Sequence, residues 1–487
     1  MSGIRRRSGS KGDIMSKGIK LIFVSVLMFG MAALLVFLHS GCGAVSVGGS
    51  GVSMGMSTGP QESKREKEEV PERDRPLTEQ QVRLNVKAFD YVWAQIHENL
   101  WAEALADAGW DEAYGEFRPR IEEAATMAEF RVAMSEMLDR LRISHTQIIP
   151  GELYEKHLSE GTYGRRDDGE TGISVRVLDG QAVVTAVRDG SAAWADGVRP
   201  GWIVESLGGK NVKEGLEELA EVYEGHYMKD LTLAAITQFK LHGDAGGDIE
   251  AVFLDGDDET KEIDLVFEQK RGREFEFGNL PTMNVWIDTM TVSRDIEYVK
   301  FNMFMDPVHL MPVFGNAAQR AAGGMGLIID LRGNLGGMGA MAGWLAGFLF
   351  DEKGHNFGTF RMKDTELTLV ITPRPGAYTG PVAVLVDGLS LSAAEFFADG
   401  MQKTGRAKLF GQRTTGFALP SVIEKLPNGD AIQYVHADYV NSEGERLEGR
   451  GVTPDFQIIP ARTQLLEGRD PVLEAAVEWI RGQAGHR

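Results

Sequence analysis

The spacing of apolar residues separates the chain into three folded stretches, of which the first is helical. From position 77 onward, apolar residues recur every three or four positions, and Thr78 stands where a helix N-cap is expected. The apolar positions of this first helix are Val82, Val86, Phe89, Val92 and Ile96. A second helix is predicted over 127–141, so residues 77–150 are expected to form a helical bundle.

The second stretch, residues 170–269, has the short alternating runs of β-strands. Two clear runs cover 174–177 and 182–187, and glycines separate them from their neighbours. This pattern predicts a small β-module.

The third stretch, residues 282–487, alternates strand and helix patterns. Strands are predicted at 298–304 and 326–331, and helices through 317–322 and over 338–350. That order is typical of parallel β-α-β crossovers. The fold class predicted for the whole chain is therefore multidomain α+β, with a helical bundle, a β-module and an α/β core.

Composition excludes several functional classes. The 487 residues carry a formal net charge of −20, which disfavours nucleic-acid binding because that binding depends on Lys and Arg at phosphates. Cys42 is the single cysteine, which excludes an internal disulfide and a cysteine-based zinc site. No H-E-x-x-H motif is present. No metal or cofactor is predicted.

The N-terminal residues 1–42 are typical of a signal peptide or a membrane anchor. Basic residues precede an uncharged apolar stretch over 21–38. The residues just before Cys42 resemble a bacterial lipoprotein processing site, with the leucine one place too far upstream. Lipidation of Cys42 and an uncleaved anchor both remain open, and either one predicts an exported, membrane-tethered protein in the cell envelope. Residues 43–76 are expected to form a flexible charged linker.

Three fragments carry candidate chemistry. Ser392 follows a buried strand and opens a helix, where a hydroxyl faces outward beside helix N–H groups. A glycine-rich run covers 330–337, and Ser144 and His145 follow the helical stretch. Alone, Ser392 could be a helix N-cap and His145 an ordinary buried or surface histidine. Asp330 and Arg332 are expected to brace the glycine turn.

In this order, these fragments resemble the tail-specific, or C-terminal-processing, serine peptidases, and in particular their tricorn-core branch. The resemblance rests on the S-A-A-E run at 392–395, the glycine motif, and the L-E-G-R-G-V-T-P-D run at 447–455. It implies a ClpP/crotonase-like core for 282–487. Residues 189–210 look like part of a PDZ domain, whose carboxylate-binding loop would be Gly172, Ile173 and Ser174. A purely structural β-module is the alternative.

One departure from the family decides which base is expected. The processing branch places a lysine 25 positions after the serine, and here that position is Phe417, which cannot accept a proton. The tricorn branch instead supplies a histidine preceded by a serine. The resemblance therefore implies the set Ser392, His145, Ser144 and Glu448, although Glu448 could equally be a solvated loop residue.

The same resemblance implies an oxyanion hole made by Ala393 and the glycine pair Gly336 and Gly337.

Two functions are compatible with these residues and this resemblance. The first is a serine endopeptidase acting on unfolded proteins or peptides. The second is a non-catalytic protein binding peptides or lipophilic molecules on the same scaffold, as in interphotoreceptor retinoid-binding protein repeats. The sequence leaves the oligomeric state open.

Overall fold

The computed structural model describes residues 75–151, 168–293 and 295–484. The signal or anchor segment 1–42, Cys42 and most of the 43–76 linker lie outside the described residues. Within the described ranges, no helix is both long and apolar enough to cross a bilayer.

The N-terminal part is helical. Its elements are α1 (Glu79–Asn99), α2 (Ala102–Ala108), α3 (Trp110–Glu123), α4 (Met127–Asp139) and the short strand β1 (Gln147–Ile149). Thr78 caps α1 as predicted, since its hydroxyl accepts the Gln81 N–H at 3.2 Å. The helix predicted over 127–141 is α4, which ends two residues earlier than expected. The Arg140 N–H donates to the Met137 carbonyl and so closes a tighter turn.

The middle part contains a mainly antiparallel sheet. Its elements are β2 (Gly169–Glu170), β3 (Ile173–Leu178), β4 (Gln181–Val187), α5 (Ala192–Ala195), β5 (Ile203–Leu207), β6 (Lys210–Asn211), α6 (Val212–Val222), α7 (Lys229–Lys240), β7 (His242–Gly243), β8 (Asp248–Leu254), β9 (Thr260–Val266) and β10 (Glu268–Gln269). The strands pair in the order β3-β4-β5-β8-β9, so β3 is an edge strand. Helix α7 lies along β3.

The C-terminal part is built on a second sheet. Its elements are β11 (Arg273–Phe275), β12 (Met283–Val285), β13 (Ile287–Val292), β14 (Ile296–Phe301), α8 (Pro307–Ala321), β15 (Gly326–Asp330), α9 (Gly339–Ala346), β16 (Asn356–Arg361), β17 (Glu366–Val370), β18 (Val382–Val386), α10 (Ala393–Lys403), β19 (Lys408–Gly411), β20 (Ser421–Lys425), β21 (Ala431–Val435), β22 (Asp438–Asn441), β23 (Phe456–Gln457), α11 (Arg462–Leu466) and α12 (Pro471–Ala484).

The predicted parallel crossovers are confirmed in this sheet. Strands β14, β15, β18, β19 and β23 pair in that order and are parallel, while β13 adds an antiparallel edge. The loops that follow β15 and β18 therefore emerge side by side at one edge of the sheet.

Two predicted elements differ from the observed ones. The helix expected over 338–350 is only α9, because the Gly347 carbonyl accepts the Arg374 N–H at 2.8 Å instead of continuing the helix. The strand expected over 298–304 ends at Phe301. Phe304 leaves the ladder and bonds to the glycine loop, donating to the Gly336 carbonyl at 2.7 Å.

The helical part shares a hydrophobic core with strand β21 of the C-terminal part. Phe89 and Ile96 of α1 lie in one buried cluster with Ile432 and Val435 of β21. Strand β1 also pairs directly with β21. This packing fixes the loop between α4 and β1, which carries Ser144 and His145, against the C-terminal part.

Candidate active site

Ser392 occupies a sharp turn between β18 and α10. Its backbone has φ +55° and ψ −117°, a conformation that residues with a Cβ rarely adopt. The Ser392 N–H lies within bonding distance of two acceptors, the Phe417 carbonyl at 2.9 Å and Glu395 Oε2 at 3.1 Å. A strained serine held by its backbone at the end of a parallel strand is the geometry of a nucleophile elbow.

The glycine loop after β15 lies directly against this turn. A Cβ on Gly336 would stand 2.6 Å from both the Leu391 carbonyl and Ser392 Cβ, so only glycine allows this approach. The buried Asn334 ties the loop down, because its side chain donates to the Phe301 carbonyl at 2.8 Å and accepts the Gly336 N–H at 3.0 Å.

The predicted oxyanion-hole residues therefore lie together but are not equivalent. The Gly336 N–H is already engaged by Asn334. Over the described ranges, the N–H groups of Gly337 and Ala393 donate no hydrogen bond to the protein. These two donors remain available beside Ser392.

A chain of hydrogen bonds joins His145 to Glu448. Ser144 Oγ lies 2.7 Å from His145 Nδ1 and 3.0 Å from Glu448 Oε2. The Ser144 N–H also donates to Glu448 Oε1 at 2.9 Å. His145 has φ +54°, a backbone conformation that residues with a Cβ rarely adopt. Ser144 and His145 are far from Glu448 and Ser392 in the sequence. Only the fold brings them together.

These bonds determine the tautomer of His145 if Glu448 is ionised. A carboxylate can only accept, so the Ser144 hydroxyl must donate its proton to Glu448. The same oxygen must then accept from His145 Nδ1–H. The other ring nitrogen, Nε2, is left unprotonated, which is the form that a general base requires.

Burial shifts the pKa values of both ends of this chain. Burial lowers the pKa of His145 from 6.5 to about 3, so the imidazole is neutral at neutral pH. Burial raises the pKa of Glu448, and the hydrogen bonds that it accepts from Tyr227, Ala418 and Ser144 oppose that rise.

Phe417 connects the two halves of the site. Its carbonyl accepts the Ser392 N–H, and its ring lies 4.1 Å from the imidazole of His145, centroid to centroid. The residue at the lysine position of the processing branch is thus an apolar cover on the histidine. The structure therefore brings both Ser392 and His145 into contact with this one residue.

The nearby lysines are engaged elsewhere. Lys403 pairs with Glu443 and with Glu445, and Lys408 pairs with Asp455 at 2.7 Å. The hydrogen bond to Glu443 raises the pKa of Lys403, so that side chain stays in the ammonium form, which cannot act as a base.

Sequence reasoning missed Glu395 as a functional residue. Its fully buried carboxylate accepts from Thr414 Oγ1 at 2.6 Å, the Gly416 N–H at 2.7 Å and the Ser392 N–H. Burial raises its pKa from 4.5 to about 7 despite these bonds. The signal was its place three residues after Ser392, where a capping glutamate reaches back to the N-cap N–H.

Asp330 and Arg332 have the bracing role that was predicted. Arg332 pairs with Asp330 at 2.7 Å and with Asp470 at 2.8 Å. Burial would raise the pKa of Asp330, but the charges of Arg332 and Lys300 outweigh it and hold that pKa well below its usual range. The pair anchors the end of β15 to the start of α12.

The predicted carboxylate-binding loop lies at the edge strand β3. Gly172 has φ +75°, and a Cβ there would stand 2.9 Å from Ser191 Cβ. The edge next to it is occupied by the side chain of Gln238 on α7. Its amide donates to the Ile173 carbonyl at 2.9 Å and accepts the Val175 N–H at 2.9 Å.

The groups gathered at Ser392 and His145 are hydroxyl, imidazole, carboxylate and backbone N–H groups. Such a set can perform acyl transfer to a serine. Within the described residues, no group of three or more His, Cys, Asp or Glu side chains could hold an ion.

Comparison with known protein families gives two matches. Residues 295–458 match the model of peptidase family S41, and residues 87–139 match the tricorn protease C1 domain. The first range holds Ser392, Glu395, Gly336, Gly337 and Glu448, and the second covers most of the helices before Ser144 and His145.

Relatives of known description agree with these matches. A probable CtpA-like serine protease of Staphylococcus aureus is 21% identical over 338 residues, which are 69% of this chain and 61% of that protein. The chloroplastic carboxyl-terminal-processing peptidase 1 of Arabidopsis thaliana is 30% identical over 142 residues, 29% of each chain.

Solved structures share the fold. The photosystem II D1 C-terminal processing protease superposes with a TM-score of 0.50 at 18% identity, over 78% of this chain and 94% of that one. Mature CPAF superposes with a TM-score of 0.55 at 13% identity, over 82% and 96%.

Proposed function

Because this chain belongs to the tail-specific, C-terminal-processing serine peptidases, we propose that it hydrolyses peptide bonds of unfolded proteins or peptides. Ser392 is the nucleophile, His145 the base, and Ser144 and Glu448 orient the imidazole. The observation that carries the proposal is the Ser144 hydroxyl, which lies between His145 Nδ1 at 2.7 Å and Glu448 Oε2 at 3.0 Å.

In the first step, His145 Nε2 takes the proton of Ser392 as its Oγ attacks the scissile carbonyl carbon. The tetrahedral oxyanion receives hydrogen bonds from the N–H groups of Ala393 and Gly337. The C–N bond then breaks as the imidazolium protonates the leaving amine, which leaves an acyl-enzyme on Ser392. His145 next takes a proton from water as the water attacks the acyl carbon, and returns it to Ser392 Oγ as the ester bond breaks. Loss of one oxyanion donor costs about 3 kcal/mol of barrier in comparable sites.

His145 at a pKa of about 3 is a weak base before substrate arrives. The developing positive charge would be poorly stabilised by burial alone. Glu448 supplies the compensation through Ser144, because its negative charge lies behind the imidazole when imidazolium forms. This explains why the site needs a carboxylate that acts on His145 through Ser144.

We further propose that the chain acts in the cell envelope, tethered to the membrane. The support is the basic and then apolar N-terminal sequence and Cys42. Fractionation of cells carrying Cys42→Ser tests this. A lipid tether predicts release of the variant from membranes, an apolar anchor predicts retention, and a wild-type protein free of membranes would contradict both.

Covalent labelling tests the catalytic proposal. A fluorophosphonate should label the wild-type protein and not Ser392→Ala, and casein turnover should follow the same pattern with the fold intact. His145→Ala should abolish turnover, whereas the matched variants Lys403→Ala and Lys408→Ala should retain it.

An unlabelled wild-type protein would indicate a non-catalytic binding protein instead. Full activity without His145, combined with dependence on one of the lysines, would restore a Ser-Lys dyad.

A further inference from the structure

Tyr227 reaches the candidate active site from the middle part of the chain. It lies in the turn between α6 and α7, and its hydroxyl donates to Glu448 Oε1 at 2.6 Å. Its ring is stacked on His226, with centroids 5.1 Å apart and planes at 20°. Gly449, the residue after Glu448, also lies beside the ring, since an added Cβ there would stand 3.9 Å from it. The phenol is therefore held in place.

Glu448 receives four hydrogen bonds, two on each oxygen. Tyr227 and the Ser144 N–H donate to Oε1, while Ser144 Oγ and the Ala418 N–H at 2.9 Å donate to Oε2. This fills the lone-pair sites of an ionised carboxylate. Tyr227 is the one donor of the four that belongs to the 170–269 stretch.

We propose that Tyr227 is a positioning residue of this peptidase, whose hydroxyl keeps the Glu448 carboxylate ionised and aimed at Ser144. The proposal rests on the function proposed above. A protonated Glu448 could donate to Ser144 Oγ, and Ser144 would then donate to His145 Nδ1. That exchange would leave the proton on Nε2, which is the wrong tautomer for a base.

The titratable groups that face Glu448 come from two loops and one helix. They are Tyr227 itself, His145 through Ser144, and Glu395 on α10, whose pKa the charge of Glu448 helps to raise. Burial raises the pKa of Glu448 and lowers that of His145. Protonation of Glu448 is therefore the event that removes activity as the pH falls.

The sign of the effect follows from the loss of one donor. A hydrogen bond to the charged form of a carboxylate lowers its pKa, so Tyr227→Phe raises the pKa of Glu448. The ionised form is then lost at a higher pH. The acid limb of kcat should move up by about one pH unit, kcat below it should fall on the order of tenfold, and KM should change little.

Tyr223→Phe is the matched control. Tyr223 is also buried, four positions away, and among the described residues its hydroxyl has no hydrogen-bond partner. Removing it deletes the same atom from the same region without touching Glu448. The control should keep the kcat, KM and acid limb of the wild-type enzyme.

The experiment measures pH profiles of peptide hydrolysis for the full-length wild type, Tyr227→Phe and Tyr223→Phe. It also follows the ring ¹⁵N resonances of His145, assigned by comparison with His145→Ala. A shifted acid limb and a change from Nδ1–H to Nε2–H at higher pH in Tyr227→Phe alone support the proposal. A loss of kcat that is equal at every pH, or equal behaviour of the two variants, would overturn it.

Failure of the proposed function would look different. If the wild type hydrolyses nothing, the peptidase assignment fails, yet the ¹⁵N titration of His145 still shows whether Tyr227 controls its tautomer.

Discussion

The ring of Phe417 lies 4.1 Å from the imidazole of His145, at the position where the lysine-dependent relatives would carry their base. Phenylalanine at this position therefore has two consequences: the lysine is absent, and an apolar side chain covers the histidine. Because burial lowers the pKa of His145 from 6.5 to about 3, Phe417 helps to keep the base neutral.

Phe417→Ala is expected to move the acid limb of kcat/KM upward. Removing the ring admits water, so the pKa of His145 rises towards 6.5, and protonation of His145 instead of Glu448 then sets the acid limb at a higher pH. The cavity should also cost about 3–5 kcal/mol of stability. The check is a profile of kcat/KM against pH at a temperature where the variant remains folded.

Phe417→Leu is the control for that measurement. Leucine keeps an apolar cover, so the acid limb should stay near that of the wild type. Equal limbs in Phe417→Ala and the wild type would mean that removing the ring does not raise the pKa of His145 far enough to replace Glu448 as the group that sets the limb.

Glu448→Gln should lower kcat more than it raises KM, and by less than Ser392→Ala does. The amide keeps the shape of the carboxylate but removes the charge that stabilises imidazolium in the transition state. A loss of about ten- to hundredfold in kcat is expected. Steady-state kinetics on one peptide substrate give both constants.

Ser144→Ala should show a similar loss, since it breaks the same chain between Glu448 and His145. The double variant should lose little more than the worse single variant, because residues that act as a unit are not additive. Strictly additive losses would assign independent roles to the two residues.

Glu395→Gln should lower kcat by about tenfold with little change in KM. The Glu395 carboxylate accepts three donors, and the amide would turn an NH₂ group toward at least one of them. The Ser392 turn should loosen as a result. Glu443→Gln, a change at an exposed glutamate that pairs with Lys403 at the end of α10, serves as the control. A folded Glu395→Gln enzyme with full kcat would remove Glu395 from the positioning of Ser392.

The same variant has a signature in stability. Because burial raises the pKa of Glu395 from 4.5 to about 7, the folded protein holds this proton more tightly than the unfolded chain does. The stabilisation of the folded protein by protonated Glu395 is fully present below about pH 4.5 and is lost as the pH rises through about 7. The Tm of the wild type relative to Glu395→Gln should therefore fall over that interval.

Gln238→Ala should strengthen the binding of a peptide with a free C-terminus. The Gln238 amide occupies a carbonyl and an N–H of the edge strand β3, the groups that an added strand would use. Fluorescence anisotropy with a labelled peptide measures the affinity, and Gln402→Ala, whose amide binds Thr453 and Asp455, is the control. Absence of binding in every form would favour the structural β-module.

The sequence by itself determined several elements of this protein and the candidate chemistry. Apolar spacing predicted α1 with its Thr78 cap and the parallel strands β14, β15 and β18, because these patterns depend on neighbours along the chain. Family motifs selected Ser392, His145, Ser144 and Glu448. Phe417 was identified as the residue that replaces a lysine.

The tertiary structure alone decided how those residues act on one another. Ser144 and Glu448 are 304 positions apart, and only the packing of the helical part on β21 brings them to 3.0 Å. The roles of Asn334 at Gly336, Tyr227 at Glu448 and Gln238 at β3 likewise depend on distances across the fold. Hydrogen bonds and burial arise from three-dimensional proximity, which a local pattern of residues does not contain.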